Sequence, residues 1–421
     1  MSYVTRLTCV CCGADYAEGG PMTCPKCGPD EGILDVQYDL DGVGQTLTRD
    51  TLPGRTASHW RYRELLPLEE RAIPADDHTG WTPLIEAPRL AAALGVGRVR
   101  LKDEGVNPSG SFKDRASSVG LARALQEGRT VIACASTGNA ASSLARSAAS
   151  NGVQANIFVS KIVPQGKLVQ LLAYGARVFK VLGSYSQAYE LCSRACDYFG
   201  WYNRNAAINP YLVEGKKTGG LEVAEQCADD PPDWVVCSVG DGCSIAGVYK
   251  GLAQMRTLGV IDWQARMLGV QAAGVAPVTE MWHRFPTGDY LKERPDSSGK
   301  GDTYADSINV PVPRNWRKAV NAVRDSDGAY IDVSDEQIQE AVRLTGRLTG
   351  VFAEPAAAAA VAGVAQACRQ GIVDANADVV AMITGNGLKD PAGAGRAVGG
   401  PHEIPPELDR VKRIVEAEET S

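Results

Sequence analysis

The chain has 421 residues, a formal net charge of −7 at pH 7 and an apolar fraction of 44%. That length accommodates two domains and a large buried core, and the acidic balance gives no footing for a nucleic acid or an anionic membrane surface. No apolar run approaches the ~20 residues of a membrane helix, and Met1 to Arg6 hold no signal-peptide apolar core, so a cytoplasmic location is expected.

Five of the twelve cysteines crowd the N-terminus. Cys9-x2-Cys12 and Cys24-x2-Cys27 place four thiolates on two tight turns, each followed by a glycine, Gly13 or Gly28. That pattern suits tetrahedral zinc, in a ribbon covering residues 1–35. Disulfides are the competing reading, and they lack a secretion signal. Cys11 is left over. No basic, aromatic stretch accompanies the ribbon, which argues against a nucleic-acid role. The other seven cysteines, Cys134 to Cys368, sit in apolar or helical contexts as small hydrophobes of a reducing compartment.

Farther along, residues 33 to 40 partly alternate apolar with polar and read as a strand. Trp60 to Leu66 reads as a short helix. Val99 and Leu101 flank Arg100 in a strand that leads to Asn107-Pro108-Ser109-Gly110-Ser111-Phe112-Lys113-Asp114-Arg115. Pro108 and Gly110 mark a loop. Phe112, Ala116, Val119 and Ala122 then recur at helical spacing, so a helix begins near Ser111. Lys113 falls in its first turn, where the helix end disfavours a protonated amine. A neutral lysine amine can form a Schiff base. The bland alternative is a solvated lysine followed by an Asp-Arg pair.

Thr130 to Ala135 reads as a buried strand running into Ser136-Thr137-Gly138-Asn139-Ala140 and an alanine-rich helix. Small polar residues at a helix start form an anion site, or simply a strand-to-helix turn. Gln154 to Val159 and Arg177 to Val181 are two more strands. Alternating strands and helices predict a parallel α/β sheet. Trp234 to Val239 delivers Gly240-Asp241-Gly242-Cys243-Ser244 ahead of another helix, a turn suited to a phosphate. Asp241 is costly there unless it points away. Ser334-x2-Gln337 is a capping box for a helix over roughly Asp335 to Leu348. Glu354-Pro355 and the alanines to Ala360 open a close-packed helix. Val379 to Ile383 is a buried strand ending in Thr384-Gly385-Asn386-Gly387-Leu388-Lys389-Asp390. Residues 401–421 form a charged tail, helical at the surface or disordered. The four histidines lie outside all these loops, which argues against Ser-His-Asp or histidine-metal chemistry.

Several of these stretches together resemble the threonine synthase family of pyridoxal-phosphate enzymes of fold type II, the tryptophan-synthase-β type. They are the S-F-K-D-R core at Ser111–Arg115, Gly80-Trp81-Thr82-Pro83-Leu84, Ser136–Asn139, Val163-Pro164-x2-Lys167-x2-Gln170 to Ala176, Gly240–Ser244 and Thr384–Asp390, where Asn386 replaces the usual histidine. They follow in family order over most of the chain. The resemblance implies a two-domain α/β fold with parallel-type twisted sheets behind the zinc ribbon. A large cofactor domain would take residues 36–107 and 206–400, and a small mobile domain residues 108–205, with a homodimer expected. It implies that Lys113 carries pyridoxal phosphate and moves the α-proton. Asn139 would bond the cofactor's ring hydroxyl, and Gly240, Asp241, Gly242, Cys243 and Ser244 its phosphate. The Thr384 hydroxyl would face the pyridine nitrogen. Ser136, Thr137, Gly138 and Ala140 would grip the substrate carboxylate. The family's cysteine pattern implies a structural zinc.

One segment departs from the family. Leu212 stands where the family carries an arginine for the substrate phosphate, and Ala206 and Ala207 replace polar residues ahead of it. Lys216 and Lys217 are the candidates to compensate, unless both are solvated. The expected reaction is O-phosphohomoserine and water to threonine and phosphate. The alternative is a related β-replacement or β-elimination enzyme acting on phosphoserine or serine, cysteate-synthase-like or dehydratase-like. A zinc-ribbon binding protein is the remote third reading, against which Lys113 speaks.

Overall fold

The apolar runs become strands of three sheets in the computed structural model, which describes residues 2–69, 78–161, 163, 165–206, 208–285 and 293–419. The cysteine-rich segment forms an antiparallel sheet from β1 (Val4–Cys9), β2 (Asp15–Tyr16) and β3 (Leu34–Tyr38), in the order β2-β1-β3. The main sheet starts with β4 (Leu84–Glu86) and β5 (Arg98–Asp103). The chain then leaves it to build a four-stranded parallel sheet from β6 (Val131–Ala135), β7 (Gln154–Ser160), β8 (Arg177–Val181) and β9 (Tyr202–Asn203), in the order β8-β7-β6-β9. It returns with β10 (Trp234–Ser238), β11 (Arg266–Ala272), β12 (Ala329–Val333) and β13 (Asp378–Ile383). The finished main sheet has the order β12-β11-β10-β13-β5-β4 and is parallel except for the edge pair β4–β5.

The central strands β6, β7, β10 and β13 are buried on both faces, so they read as nearly continuous apolar runs. Val235, Val236, Val379 and Val380 are fully buried. The helix Pro355–Arg369 lies on the main sheet, and Ala356 to Ala360 are 0–3% exposed. That explains the alanine run, since small side chains let a helix approach a sheet closely. A second close approach joins three helices: Lys113–Gln126, Tyr211–Gln226 and Cys243–Thr257. A Cβ on Gly215 would stand 2.0 Å from the Arg115 carbonyl oxygen, and one on Gly220 2.0 Å from that of Val248. The middle helix is therefore clamped between the other two.

The capping box forms as expected, with Ser334 and Gln337 bonding reciprocally ahead of the helix Asp335–Thr349. The expected helix at Trp60–Leu66 is instead a 3-10 stretch, His59–Leu65, kinked at Tyr62. The sequence pattern sets no bounds for β1, β2, β4, β9, β11 or β12. Part of the tail, Leu408–Glu419, is an exposed helix. Among the described residues no helix is long and apolar enough to cross a membrane. Pro164 and Ala207 lie outside the described residues.

Candidate active site

Four loops leave the carboxyl ends of parallel strands β5, β6, β10 and β13, where open α/β sheets bind ligands. The lysine loop after β5 is pinned from two sides. Ser109 N donates to Asp114 Oδ2 at 2.7 Å. Phe112 N donates to the Thr384 carbonyl at 2.9 Å, and Asn386 N to the Gly110 carbonyl at 3.0 Å. The loops after β5 and β13 are thus stapled together, with Lys113 opening its helix beside Thr384.

Asp114 and Arg115 are both 0% exposed. Arg115 bonds Glu104 at 2.7 Å and Glu222 at 2.5 and 2.7 Å. Glu222 also takes Lys102 Nζ at 2.8 Å and the backbone N–H groups of Trp81 and Thr82 at 2.7 and 3.1 Å. This buried cluster ties the Gly80–Leu84 stretch to the residue two places after Lys113.

Lys113 keeps a partial opening to the cleft but is enclosed by protein. Enclosure, and then the neighbouring charge of Lys216, bring its amine down to about 8, with Arg204 adding to the effect and Glu354 opposing it. The direction matches the sequence expectation, but its causes are desolvation and the neighbouring cations.

The β10 turn offers an anion seat. Gly242 has φ +87°, and a Cβ there would meet Ala319 Cβ at 2.8 Å, so only glycine fits. No side chain caps the helix that follows. The Asp241 carboxylate is engaged by the protein: its Oδ1 accepts from Arg314 N at 2.7 Å and its Oδ2 from Cys243 Sγ at 3.5 Å. Across the cleft, the helix after Ser136-Thr137-Gly138 is likewise uncapped by any side chain. Ser136, Thr137, Gly138 and Ala140 are half-buried. Thr384 is half-buried, and its hydroxyl has no hydrogen bond among the described residues.

Two residues at the site went unread in the sequence. Glu354, 3% exposed, accepts from Asn139 Nδ2 at 2.9 and 3.0 Å, and burial pushes its carboxyl up. Its signal was a carboxylate opening an otherwise buried alanine helix. Lys389 donates to Ser142 Oγ and Gln170 Oε1, both at 2.8 Å, and so ties the β13 loop to helices beside the smaller sheet.

The two candidate lysines separate. Lys216 is 4% exposed and has no hydrogen-bond or ion-pair partner among the described residues. Lys217 is spent elsewhere, bonded to Glu214 at 2.6 Å and lying 4.0 Å over the Tyr38 ring. The expectation that Lys217 contacts substrate is therefore corrected, because its charge is neutralised inside the protein. Leu212 is 2% exposed and packs toward Gly120 of the lysine helix, while Ala206 is half-buried.

Sγ atoms of Cys9, Cys12, Cys24 and Cys27 all lie within 4.8 Å of one another. Cys9–Cys27 is 3.9 Å and Cys12–Cys24 3.7 Å. A tetrahedron of Zn–S bonds gives S–S edges of about 3.8 Å, so the donor set fits zinc, and Cys11 is exposed. The ribbon is not remote from the cleft, since Ile33 packs with Val213 and Cys243. Asp35 takes Lys250 and Lys318 at 3.1 and 2.8 Å.

Residues 75–385 match the family model for pyridoxal-phosphate dependent enzymes. The chain is 36% identical over 388 residues to a threonine synthase of Methanosarcina acetivorans, covering 92% of each. It is 34% identical to a threonine synthase of Methanocaldococcus jannaschii, covering 97% of this chain and 98% of that one. Its fold is similar to the processed form of threonine deaminase isoform 2 from Solanum lycopersicum, with a TM-score of 0.63 at 23% identity over 76% of this chain and 83% of that one. It is also similar to a fungal L-serine ammonia-lyase from Rhizomucor miehei, with a TM-score of 0.64 at 22% identity over 75% and 96%.

Proposed function

The chain belongs to the pyridoxal-phosphate-dependent enzymes and, within them, to the threonine synthase family, and from that premise we propose that it converts O-phosphohomoserine and water to threonine and phosphate. The observation that carries the reading is the convergence of four strand-end loops on a lysine whose amine is brought down to about 8. The residues fit the cofactor: an uncapped helix start with an obligatory glycine for its phosphate, an unbonded Thr384 hydroxyl for its ring nitrogen, and Lys113 for its aldehyde.

When bound, pyridoxal phosphate supplies the electron sink for negative charge at the substrate α-carbon. The rest falls to the chain. Lys113 Nζ, neutral in part near pH 7, takes the α-proton and returns it. Ser136, Thr137, Gly138 and Ala140 hold the substrate carboxylate at a helix start. Asn139, steadied by Glu354, faces the ring hydroxyl. Gly240, Asp241, Gly242, Cys243 and Ser244 hold the cofactor phosphate through their backbone. Residues 108–205 close over the substrate as a small unit.

Leu212 favours a second reading, β-replacement or β-elimination on phosphoserine or serine, because a buried leucine cannot hold a phosphate. The test is to supply O-phosphohomoserine, O-phosphoserine and serine separately and assay phosphate, keto acid and amino-acid product. Threonine with stoichiometric phosphate supports the first reading, and consumption of a serine derivative without threonine replaces it. A structural zinc at the four cysteines is part of the proposal. So is a homodimer joined through the exposed Val106, Phe352 and Leu388 near the β13 loop, testable by whether Leu388→Asp gives a monomer. Twelve unpaired cysteines suit a cytoplasmic setting.

A further inference from the structure

Arg204 is a buried charge that the reading above leaves unused. It follows β9 and is 2% exposed. Its Nε and Nη2 donate to Ser117 Oγ at 3.3 and 3.0 Å, and no carboxylate among the described residues pairs with it. Among the described residues, the four other buried arginines each have one. Arg61 meets Glu225 at 2.6 Å, Arg100 Asp378 at 2.9 Å, Arg115 Glu104 at 2.7 Å and Arg123 Glu18 at 2.5 Å. A guanidinium sealed from water without a counter-charge is costly, and burial accordingly pushes the Arg204 pKa down. Asp114, a carboxylate that acts on it, makes no ion pair with it and gives its Oδ2 to Ser109 N.

Position gives the charge a use. Ser117 lies four residues after Lys113, on the same helix face, so Arg204 is anchored beside the reactive amine. Lys216, also buried and unpaired, flanks that amine as well. Both cations act on Lys113 and on Cys243. The cofactor phosphate has its own seat at the Gly240–Ser244 turn of the main sheet. Arg204 stands on the opposite wall, next to the proposed carboxylate loop: its N–H donates to the Ala133 carbonyl at 2.8 Å, and Ala135 N donates to Asn205 Oδ1 at 2.8 Å.

We propose that Arg204 and Lys216 together hold the phosphate monoester of the substrate, in place of the arginine that Leu212 lacks. The inference rests on the reading of this chain as an enzyme of amino acids, and it assigns the two residues that would bind a phosphorylated one. Arg204 retains Nη1 for a phosphate oxygen, and the two charges match a dianion.

The test uses holoenzyme, as wild type, Arg204→Gln, Arg204→Lys and Lys216→Gln. Dissociation constants for O-phosphoserine and O-phosphohomoserine are read by calorimetry against L-serine and L-homoserine, and cofactor affinity is read by titrating apoprotein. Each Gln variant should weaken the phosphorylated ligands about ten- to a hundredfold relative to their unphosphorylated partners, with the cofactor retained and Arg204→Lys recovering part of the loss. A parallel fall in cofactor affinity would assign the cations to the cofactor phosphate and overturn the proposal. So would unchanged ratios, or a wild type that binds cofactor but neither phosphorylated ligand. If Arg204→Gln fails to fold, Lys216→Gln decides. A wild type that takes up no cofactor fails the underlying reading instead, so the two failures are distinct.

Discussion

Replacing Glu222 by glutamine removes one of two negative charges from a cluster that also holds two positive ones. Arg115, Lys102, Glu104 and Glu222 all have side chains that are 0% exposed. Glu222 alone receives both cations and two backbone N–H groups. Its carboxyl is held well below the usual range: burial works against ionisation, but Arg115 and Lys102 outweigh it. Breaking a buried pair from one side leaves an uncompensated charge, at a cost of about 3–5 kcal/mol. Glu222→Gln should therefore lower the unfolding free energy by about that much in a denaturant titration. Adding Lys102→Met restores neutrality, so the double variant should lose less than the sum of the singles. The pH dependence has a definite sign. A depressed carboxyl contributes stability above its unfolded pKa, and that stability is lost as pH falls toward the folded value. The wild type should lose the increment in acid, and the variant should show a flatter acid limb. A Glu222→Gln loss below about 1 kcal/mol, or strict additivity with Lys102→Met, would refute the reasoning.

The Lys113 amine should load pyridoxal phosphate at a rate that rises with pH through about 8, because the neutral amine is the nucleophile; a rise only near the ordinary lysine pKa would contradict its placement. Cys24→Ser should lower zinc content and stability, and should weaken cofactor retention as well through the Ile33–Cys243 contact; a protein that never carries zinc when prepared without chelator would remove the metal from the account. Glu354→Gln should shift the holoenzyme's visible absorbance, since Glu354 orients Asn139. A spectrum matching the wild type across neutral pH would place the pair out of reach of the cofactor.

Strand-end loops were legible in the sequence because their signals are local. Pro108 and Gly110 break the chain, Gly240 and Gly242 open a turn after an apolar run, and Ser334 caps a helix three residues before Gln337. What escaped depends on contacts far apart in the chain. The burial of Arg115 depends on Glu104 and Glu222, 11 and 107 residues away, which close around it. Arg204 carries no local mark, because its oddity is the lack of a carboxylate in three dimensions. Lys216 and Lys217 are indistinguishable in sequence, yet one helical step turns the first toward Lys113 and the second toward Glu214 and Tyr38. β9 is only two residues long, too short for periodicity to register. The main-sheet helix was read correctly because its alanines have few other uses.

Borohydride reduction of the holoenzyme, followed by peptide mapping, tests the central claim most directly. The holoenzyme should be yellow, lose its visible absorbance on reduction and carry the label on Lys113 alone. A wild-type protein that takes up no pyridoxal phosphate, or one labelled on Lys216 instead, would contradict it.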